Sequence, residues 1–421
     1  MRVLITTAGS TGDVAPYTGV GARLRDAGHQ VTVAAHESFA DMVAGAGLDL
    51  LPIPGDVRAV QASALGRQLY RRGTGASGLV GLARLAGRYV WELAEGMLAV
   101  AERGPDVLLL STTTAALGYQ VAQALGVPSM GLFLQPVDST GEFPPVMAGA
   151  RGLGRAGNRA AAALARMLAR RVYDRPSRFL RARLGLPPMS LHDLDRRQRA
   201  EHWPILHGFS PAVVPRPADW RPGLDVVGYW WPARPADWQP SAELVEFLAA
   251  GPPPVYLGFG SMAGGGARRL SALAVGALRR AGVRAVVQAG WAGLAATGDD
   301  VITIGPVPHD WLFPRMAAVV HHAGASTTAA GLRAGVPCVA VPMIADQGFW
   351  SARLTGLGVG PPGIPITRLT EHRLAAAVAA AVRAPGYRHR AGQIAACLAV
   401  EDGAGAVVAA VGGVGGASGS R

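Results

Sequence analysis

Lysine is absent from this chain: all 40 of its basic side chains are arginine. Against 28 acidic residues they leave a formal charge of +12 and an isoelectric point near 10.8. Such a balance suits a polyanion or an anionic membrane surface. An all-arginine composition follows as readily from genomic base composition, however, and no recognisable nucleic-acid-binding module accompanies it. Cysteine is scarce too. Cys338 and Cys397 are too few and too isolated for a disulfide framework or a thiolate metal site, so a reduced, cytoplasmic setting is expected. The N-terminus runs directly into Arg2-Val-Leu-Ile-Thr6, a strand pattern without the basic segment, apolar core and cleavage site of a secretory signal. No uncharged apolar run is long enough to cross a bilayer, so no transmembrane segment is expected.

What is present is apolar and alternating. At 421 residues and 50% hydrophobic content, the chain can bury two cores. Short buried strands are expected at 3–7, 31–35, 107–110 and 128–133, separated by Ala-, Leu- and Arg-rich helical stretches. The pattern repeats at 255–259, 285–288, 301–304, 317–320 and 339–342. It predicts an α/β protein with two doubly wound, Rossmann-like domains. We place the first at 1–215, a Pro- and Trp-rich linker at 216–253 and the second at 254–385. A helix at 386–410 packs back toward the first domain, and the Gly/Ser-rich tail 411–421 is expected to be disordered.

The densest signal lies between Gly305 and Trp350. The turn His321-His322-Ala-Gly-Ala-Ser-Thr-Thr328 follows a buried strand and opens a helical pattern, where free backbone N–H groups and the positive end of a helix dipole meet. Gly324 and Ala325 allow close backbone approach to an anion, Ser326 and Thr327 add hydroxyls, and His321 adds a further donor. A phosphate site is the reading. Asp346 and Gln347 follow the next strand at its C-terminal end, where ligands of open parallel sheets bind.

Together with Gly305-Pro-Val-Pro-His-Asp-Trp-Leu-Phe313, Ala330-Gly-Leu-Arg-Ala-Gly-Val-Pro337, Thr6-Thr-Ala-Gly-Ser-Thr-Gly-Asp-Val-Ala-Pro16 and Gly258-Phe-Gly-Ser-Met262, these motifs resemble the GT-B-fold, inverting glycosyltransferases of the UDP-glycosyltransferase superfamily. The flavour is that of bacterial sterol, glycolipid and antibiotic glycosyltransferases, and the resemblance spans essentially the whole chain. It implies two domains facing across a cleft, the first binding the acceptor and the second the nucleotide sugar. Gly258-Phe-Gly-Ser-Met-Ala263 also fits a dinucleotide fingerprint superficially, but no acidic residue follows at the required distance to bind a ribose.

The resemblance implies roles. His321, Gly324, Ala325, Ser326 and Thr327 hold the diphosphate, with Gly12, Gly260 and Ser261 approaching from other loops. Pro306 and Val307 pack on and read the nucleobase, and Asp346 and Gln347 orient the sugar. Asp13 is the base that takes the acceptor's proton; capping the following helix is its alternative role. His36 and Asp138 are further candidates for the base, without motif support. Asp193-Leu194-Asp195 has the spacing of a metal-binding pair in other glycosyltransferases, but no buried strand precedes it and Arg196-Arg197 follow, so a surface feature and metal independence are expected. No cofactor is expected beyond the nucleoside diphosphate sugar, UDP- or dTDP-linked, as co-substrate. The acceptor is a hydrophobic, hydroxyl-bearing small molecule, chosen by loops around 57–78 and 133–146 and by the basic stretch 151–183. That stretch can also dock on a membrane or lie solvated over a core. A non-catalytic partner protein on the same fold and a sugar-nucleotide 2-epimerase are the alternatives.

Overall fold

The computed structural model describes residues 1–56, 76–149, 151–260, 267–291 and 293–418. Two all-parallel sheets organise them. The first has seven strands in the order β3-β2-β1-β4-β5-β6-β7: β1 Arg2–Thr6, β2 Gln30–His36, β3 Asp49–Ile53, β4 Val107–Ser111, β5 Ser129–Phe133, β6 Ile205–His207 and β7 Leu224–Val226. The second has five in the order β10-β9-β8-β11-β12: β8 Val255–Gly258, β9 Ala285–Gln288, β10 Val301–Ile304, β11 Ala318–His321 and β12 Cys338–Ala340. Helices cover both faces, which is why the central strands are near-continuous apolar runs; Val107–Ser111 is buried at every position.

Every strand expected in the second half is present within two residues. The first half differs. The short strands β6 and β7 and the Pro52-bearing edge strand β3 join the four expected. Because β7 ends at Val226, the first domain continues past the expected boundary at 215. The far end of the supposed linker belongs to the second domain, since Leu244 of the Ala242–Ala249 helix is buried with Tyr256, Val286 and Phe313. Between these points the chain is packed. Trp230 lies against Tyr17 with ring centroids 5.8 Å apart, the Ala233 N–H donates to Thr18 Oγ1 at 3.0 Å, and Trp238 meets Trp311 of the second domain edge-on at 5.4 Å.

The C-terminal segment also departs from expectation. Two helices replace the single one, Pro385–Ala399 and Gly403–Ser418. The first buries Ala391, Ile394 and Leu398 in a cluster shared with Leu332 and Trp350 of the second domain. The second crosses to the first domain, where Val407 and Val411 join Val14, Tyr17, Val20 and Leu24. Arg23 pairs with Asp402 at 2.8 Å beside the break. Disorder from residue 411 is thus corrected: the helix continues to Ser418, because valines four residues apart give the Gly/Ala-rich sequence a buried stripe. By length and composition alone, Pro385–Val414 is apolar enough to cross a membrane, with a mean hydropathy of 1.8. Glu401 and Asp402 interrupt it, and the two helices pack on the two domains.

Candidate active site

In each sheet the strand order reverses once, between β1 and β4 and between β8 and β11. The loops leaving these four strands face one another, and loops at such reversals are where open parallel sheets bind ligands. They enclose a cleft of about 1620 Å³. Asp13, Gly12, Gly260, Pro306, Val307, Gly324, Ala325, Ser326, Thr327, Asp346 and Gln347 all line it. Ser261 lies outside the described residues.

Asp13 occupies the first turn of the Thr11–Asp26 helix, after β1. Its Oδ2 accepts from Ser10 N at 2.8 Å and from Ser10 Oγ at 2.9 Å, so it does cap the helix while facing the cleft. Gly9 makes room for it: a Cβ there would lie 2.4 Å from Oδ2. Burial raises the Asp13 pKa above its ordinary 3.8, and hydrogen bonds from Ser10 and the Gln135 side chain pull the other way.

Across the cleft the two adjacent histidines separate. His321 ends β11 with its ring fully buried, Nδ1 accepting from Ala323 N at 3.1 Å, and it does not line the cleft. His322 does. A Cβ on Gly324 would sit 2.4 Å from His322 Nε2, and one on Gly260 would sit 3.0 Å from Cε1, so the imidazole occupies a slot between two glycines. The ring expected at the cleft, that of His321, is turned into the core instead, and His322, the first residue past β11, presents its imidazole there. Burial drives both pKa values down, to about 3 for His321 and about 4 for His322, so both rings are neutral near pH 7.

Gly324 is the N-cap of the Ala325–Arg333 helix, whose first intrahelical acceptor bond runs from Thr328 N to Gly324 O at 2.9 Å. The Ala325, Ser326 and Thr327 amides thus form the open first turn beside His322. The Ser326 hydroxyl is otherwise engaged: it donates to Gly12 O of the first domain at 2.7 Å, tying two helix N-termini together over the cleft. The hydroxyl expected at a phosphate thus makes an interdomain contact here, and the Ser326 amide belongs to the open first turn.

Asp346 caps the Gln347–Gly356 helix and its Oδ2 accepts from Trp350 Nε1 at 2.8 Å. Burial, opposed by the Trp350 bond and reinforced by the charge of Asp13, lifts its pKa to about 6. Gln347 Oε1 accepts from Met343 N at 2.8 Å and Ile344 N at 3.1 Å, so it shapes the loop as well as lining the cleft. Ala323 and Ala345, each directly before a site residue, adopt left-handed φ values of 61° and 58°. Non-glycine residues rarely do so outside sites that the surrounding structure holds in place.

Gln135 escaped the sequence reading. It lies two residues after β5 and lines the cleft, where its side-chain amide favours the ionised forms of both Asp13 and Asp346, one from each domain. No motif marks it; its position at a strand's C-terminal end is the only signal. His309 was missed as well. It lines the cleft stacked on Phe313 with centroids 4.2 Å apart, and burial lowers its pKa to about 4. His36 and Asp138, the other candidates for the base, do not line the cleft. Ser190 caps the Leu191–Ala200 helix by accepting from Asp193 N, and the Asp193 carboxylate accepts from the Ser190 hydroxyl and pairs with Arg196, whereas Asp195, expected at the surface, faces the cleft and pairs with Arg170 at 2.8 Å and Arg199 at 3.3 Å. Of the acceptor-choosing segments, 57–75 is outside the described residues. Val137 and Val146, and Arg166, Ala169, Arg170 and Tyr173 of the Gly154–Arg183 helix, line the cleft. On the outer side of that helix Leu164, Met167 and Leu168 are about half exposed.

Neutral buried histidines make acid sensitivity a testable property. His207, His309, His321 and His322 all have folded pKa values of about 3 to 4, against an ordinary 6.5. As pH falls below 6.5, the unfolded chain takes up protons that the folded one refuses, so their contribution to stability is lost between pH 6.5 and 4. The raised pKa values of Asp346, Asp13, Asp138 and Glu401 act oppositely in part of that window, while His29 and His36, also lowered by burial, act with the four. The melting temperature should therefore fall steadily from pH 7 to pH 4.5; a flat profile would contradict the burial of these rings.

Two doubly wound parallel sheets presenting their reversal points to a shared cleft define the GT-B class of glycosyltransferases. Two family models match, the glycosyltransferase family 28 N-terminal domain over residues 3–87 and the erythromycin biosynthesis protein CIII-like C-terminal domain over 276–411. O-mycaminosyltylonolide 6-deoxyallosyltransferase of Streptomyces fradiae is 35% identical over 420 residues, covering 96% of this chain and 95% of that protein. A sterol 3-beta-glucosyltransferase of Arabidopsis thaliana is 34% identical over 391 residues, 90% of this chain; the chain spans 60% of that relative's length. A solved glycosyltransferase of Streptomyces sp. SF2575, complexed with thymidine diphosphate, shares the fold with a TM-score of 0.65 at 24% identity, over 98% of this chain and 99% of that one. The chain belongs to the UDP-glycosyltransferase superfamily and is a glycosyltransferase.

Proposed function

We propose that the protein transfers a sugar from a nucleoside diphosphate, thymidine- or uridine-linked, to a hydroxyl of a hydrophobic small molecule, with inversion at the anomeric carbon and without a metal ion. The observation that carries this reading is the opposition of Asp13, on one domain, to His322 and the Ala325–Arg333 helix N-terminus, on the other, across a single cleft. The acceptor oxygen bonds to the anomeric carbon as its proton passes to an Asp13 carboxylate oxygen. The bond from that carbon to the diphosphate breaks, and its electron pair leaves with the phosphate. One displacement from the face opposite the leaving group inverts the centre. A carboxylate is too weak a base to ionise an alcohol beforehand, so proton transfer comes late, and burial that raises the Asp13 pKa helps it. Negative charge growing on the diphosphate meets open amides, a helix dipole and an imidazole that needs no rearrangement.

Metal independence is supported by the aspartates of Asp193-Leu194-Asp195, whose carboxylates are held by Ser190 and arginines. A thymidine-linked donor is favoured by the thymidine diphosphate in the Streptomyces sp. SF2575 enzyme, and a lipophilic acceptor by the sterol named in the Arabidopsis thaliana relative. Reduced cytoplasm is the proposed setting. The test is calorimetric titration with dTDP, UDP and GDP, with and without Mg²⁺, followed by the anomeric configuration of a product. Micromolar-range binding of one diphosphate, indifferent to Mg²⁺, is expected; binding of none would overturn the donor site, and retention of configuration would overturn the single displacement.

A further inference from the structure

We propose that the cleft wall built by the Gly154–Arg183 and Leu191–Ala200 helices is an anion subsite for the acceptor, in which Arg166 binds a carboxylate or similar anionic oxygen carried by a hydrophobic scaffold. The inference rests on the glycosyltransferase reading and extends it to the acceptor's chemical class. Arg166 lines the cleft, and its Nη1 is buried without a hydrogen-bond partner. A guanidinium N–H removed from water and left unpaired is costly, so such a group points to a ligand. The neighbouring arginine is already satisfied: Arg170 pairs with Asp195 at 2.8 Å, and Asp195 also takes Arg199 at 3.3 Å. Arg166 makes no ion pair among the described residues.

The local charge agrees. Arg166 feels Arg170 and Arg199, with Asp195 and Asp138 opposing them. Three arginines face two aspartates, and Asp195 is shared between two of the arginines. An anion beside Arg166 relieves this excess. Apart from Gln198, the rest of this wall is apolar or aromatic, with Ala169, Tyr173, Leu191 and Leu194. That combination suits a flat or steroidal scaffold ending in an acid. Both helices belong to the first domain, while His322 and the open helix turn belong to the second, so this positive corner is separate from the diphosphate groups.

The test uses the full chain and two probe pairs: lithocholic acid and 4′-hydroxybiphenyl-4-carboxylic acid, each against its methyl ester. Calorimetry should show the wild type binding at least one acid about tenfold or more tightly than its ester, as a charge-assisted contact requires. In Arg166→Met, which keeps the apolar stem, the acid should fall to the affinity of the ester, and Arg166→Lys should keep part of the preference. A wild type without preference in either pair, or with no binding to any probe, overturns the proposal. So does a preference that survives in Arg166→Met. Titration of each variant with dTDP runs alongside. Normal dTDP binding shows that the variant is folded, whereas a wild type that binds the acids but no diphosphate sinks the donor-site reading and leaves the anion subsite standing.

Discussion

An Asp13→Asn protein should bind nucleoside diphosphate as the wild type does and turn over roughly 10²- to 10⁴-fold more slowly, the range expected for loss of a positioned general base. The amide is chosen because Asp13 has two jobs. Its Oδ2 accepts from Ser10 N and Ser10 Oγ, closing the first turn of the Thr11–Asp26 helix, and an asparagine oxygen keeps those bonds. Asp13→Ala would remove the cap as well as the base, mixing about 0.5–2 kcal/mol of stability into the kinetic effect. In the wild type the rate should rise with pH as Asp13 ionises, because only the carboxylate takes a proton. That rise should lie above the ordinary aspartate range, since burial raises the Asp13 pKa and Asp346, titrating at about 6, shares Gln135 with it. The limb describes the pair rather than either residue. Gln135→Leu should move it upward, because it removes the amide that favours ionisation of both carboxyls. If Asp13→Asn kept more than a tenth of wild-type turnover, the base would be elsewhere, and neither His36 nor Asp138 lines the cleft to replace it.

What was legible in the sequence follows from how local each signal is. The strands of the second half were readable because Val255–Gly258, Ala285–Gln288, Val301–Ile304 and Ala318–His321 are compact apolar runs between helices. β6 and β7 span three residues each, too short for a pattern to rise above chance, and their pairing is a tertiary fact. The motif that opens the Ala325–Arg333 helix was readable as an anion site, but which histidine serves it was not. His321 and His322 have the same chemistry one residue apart, and only the strand's end fixes which ring turns inward. Gln135 shows the opposite limit: its significance is its reach to Asp13 and Asp346, residues from different domains, and nothing around it in the chain announces that. The Gly/Ala-rich C-terminus read as low complexity because its few valines gain meaning only against Val14, Tyr17 and Val20.

The separation of the two histidines can be tested without touching either. A Gly324→Ala protein should bind dTDP about 10- to 100-fold more weakly, the scale of one lost hydrogen bond to a charged group. Gly324 has φ −67° and ψ 147°, a conformation open to any L-residue, so alanine adds no backbone strain. The added methyl acts on its neighbour: it would stand 2.4 Å from His322 Nε2 and 3.2 Å from Cδ2 and Cε1, closer than such atoms pack. Retreat toward Gly260 is limited, because the ring already fills the slot between the two glycines. His322 must leave the position from which it reaches the cleft, so His322→Ala should weaken binding to a similar extent. The double substitution should be no worse than either alone, since the methyl would then have no ring to displace. His321→Ala should behave differently, losing stability through a buried cavity and the lost bond from Ala323 N while disturbing diphosphate binding less. Normal dTDP affinity in Gly324→Ala together with lost affinity in His321→Ala would reverse the assignment. It would mean that the buried ring turns outward when the diphosphate arrives, so that the loop rearranges on binding rather than waiting in its final form.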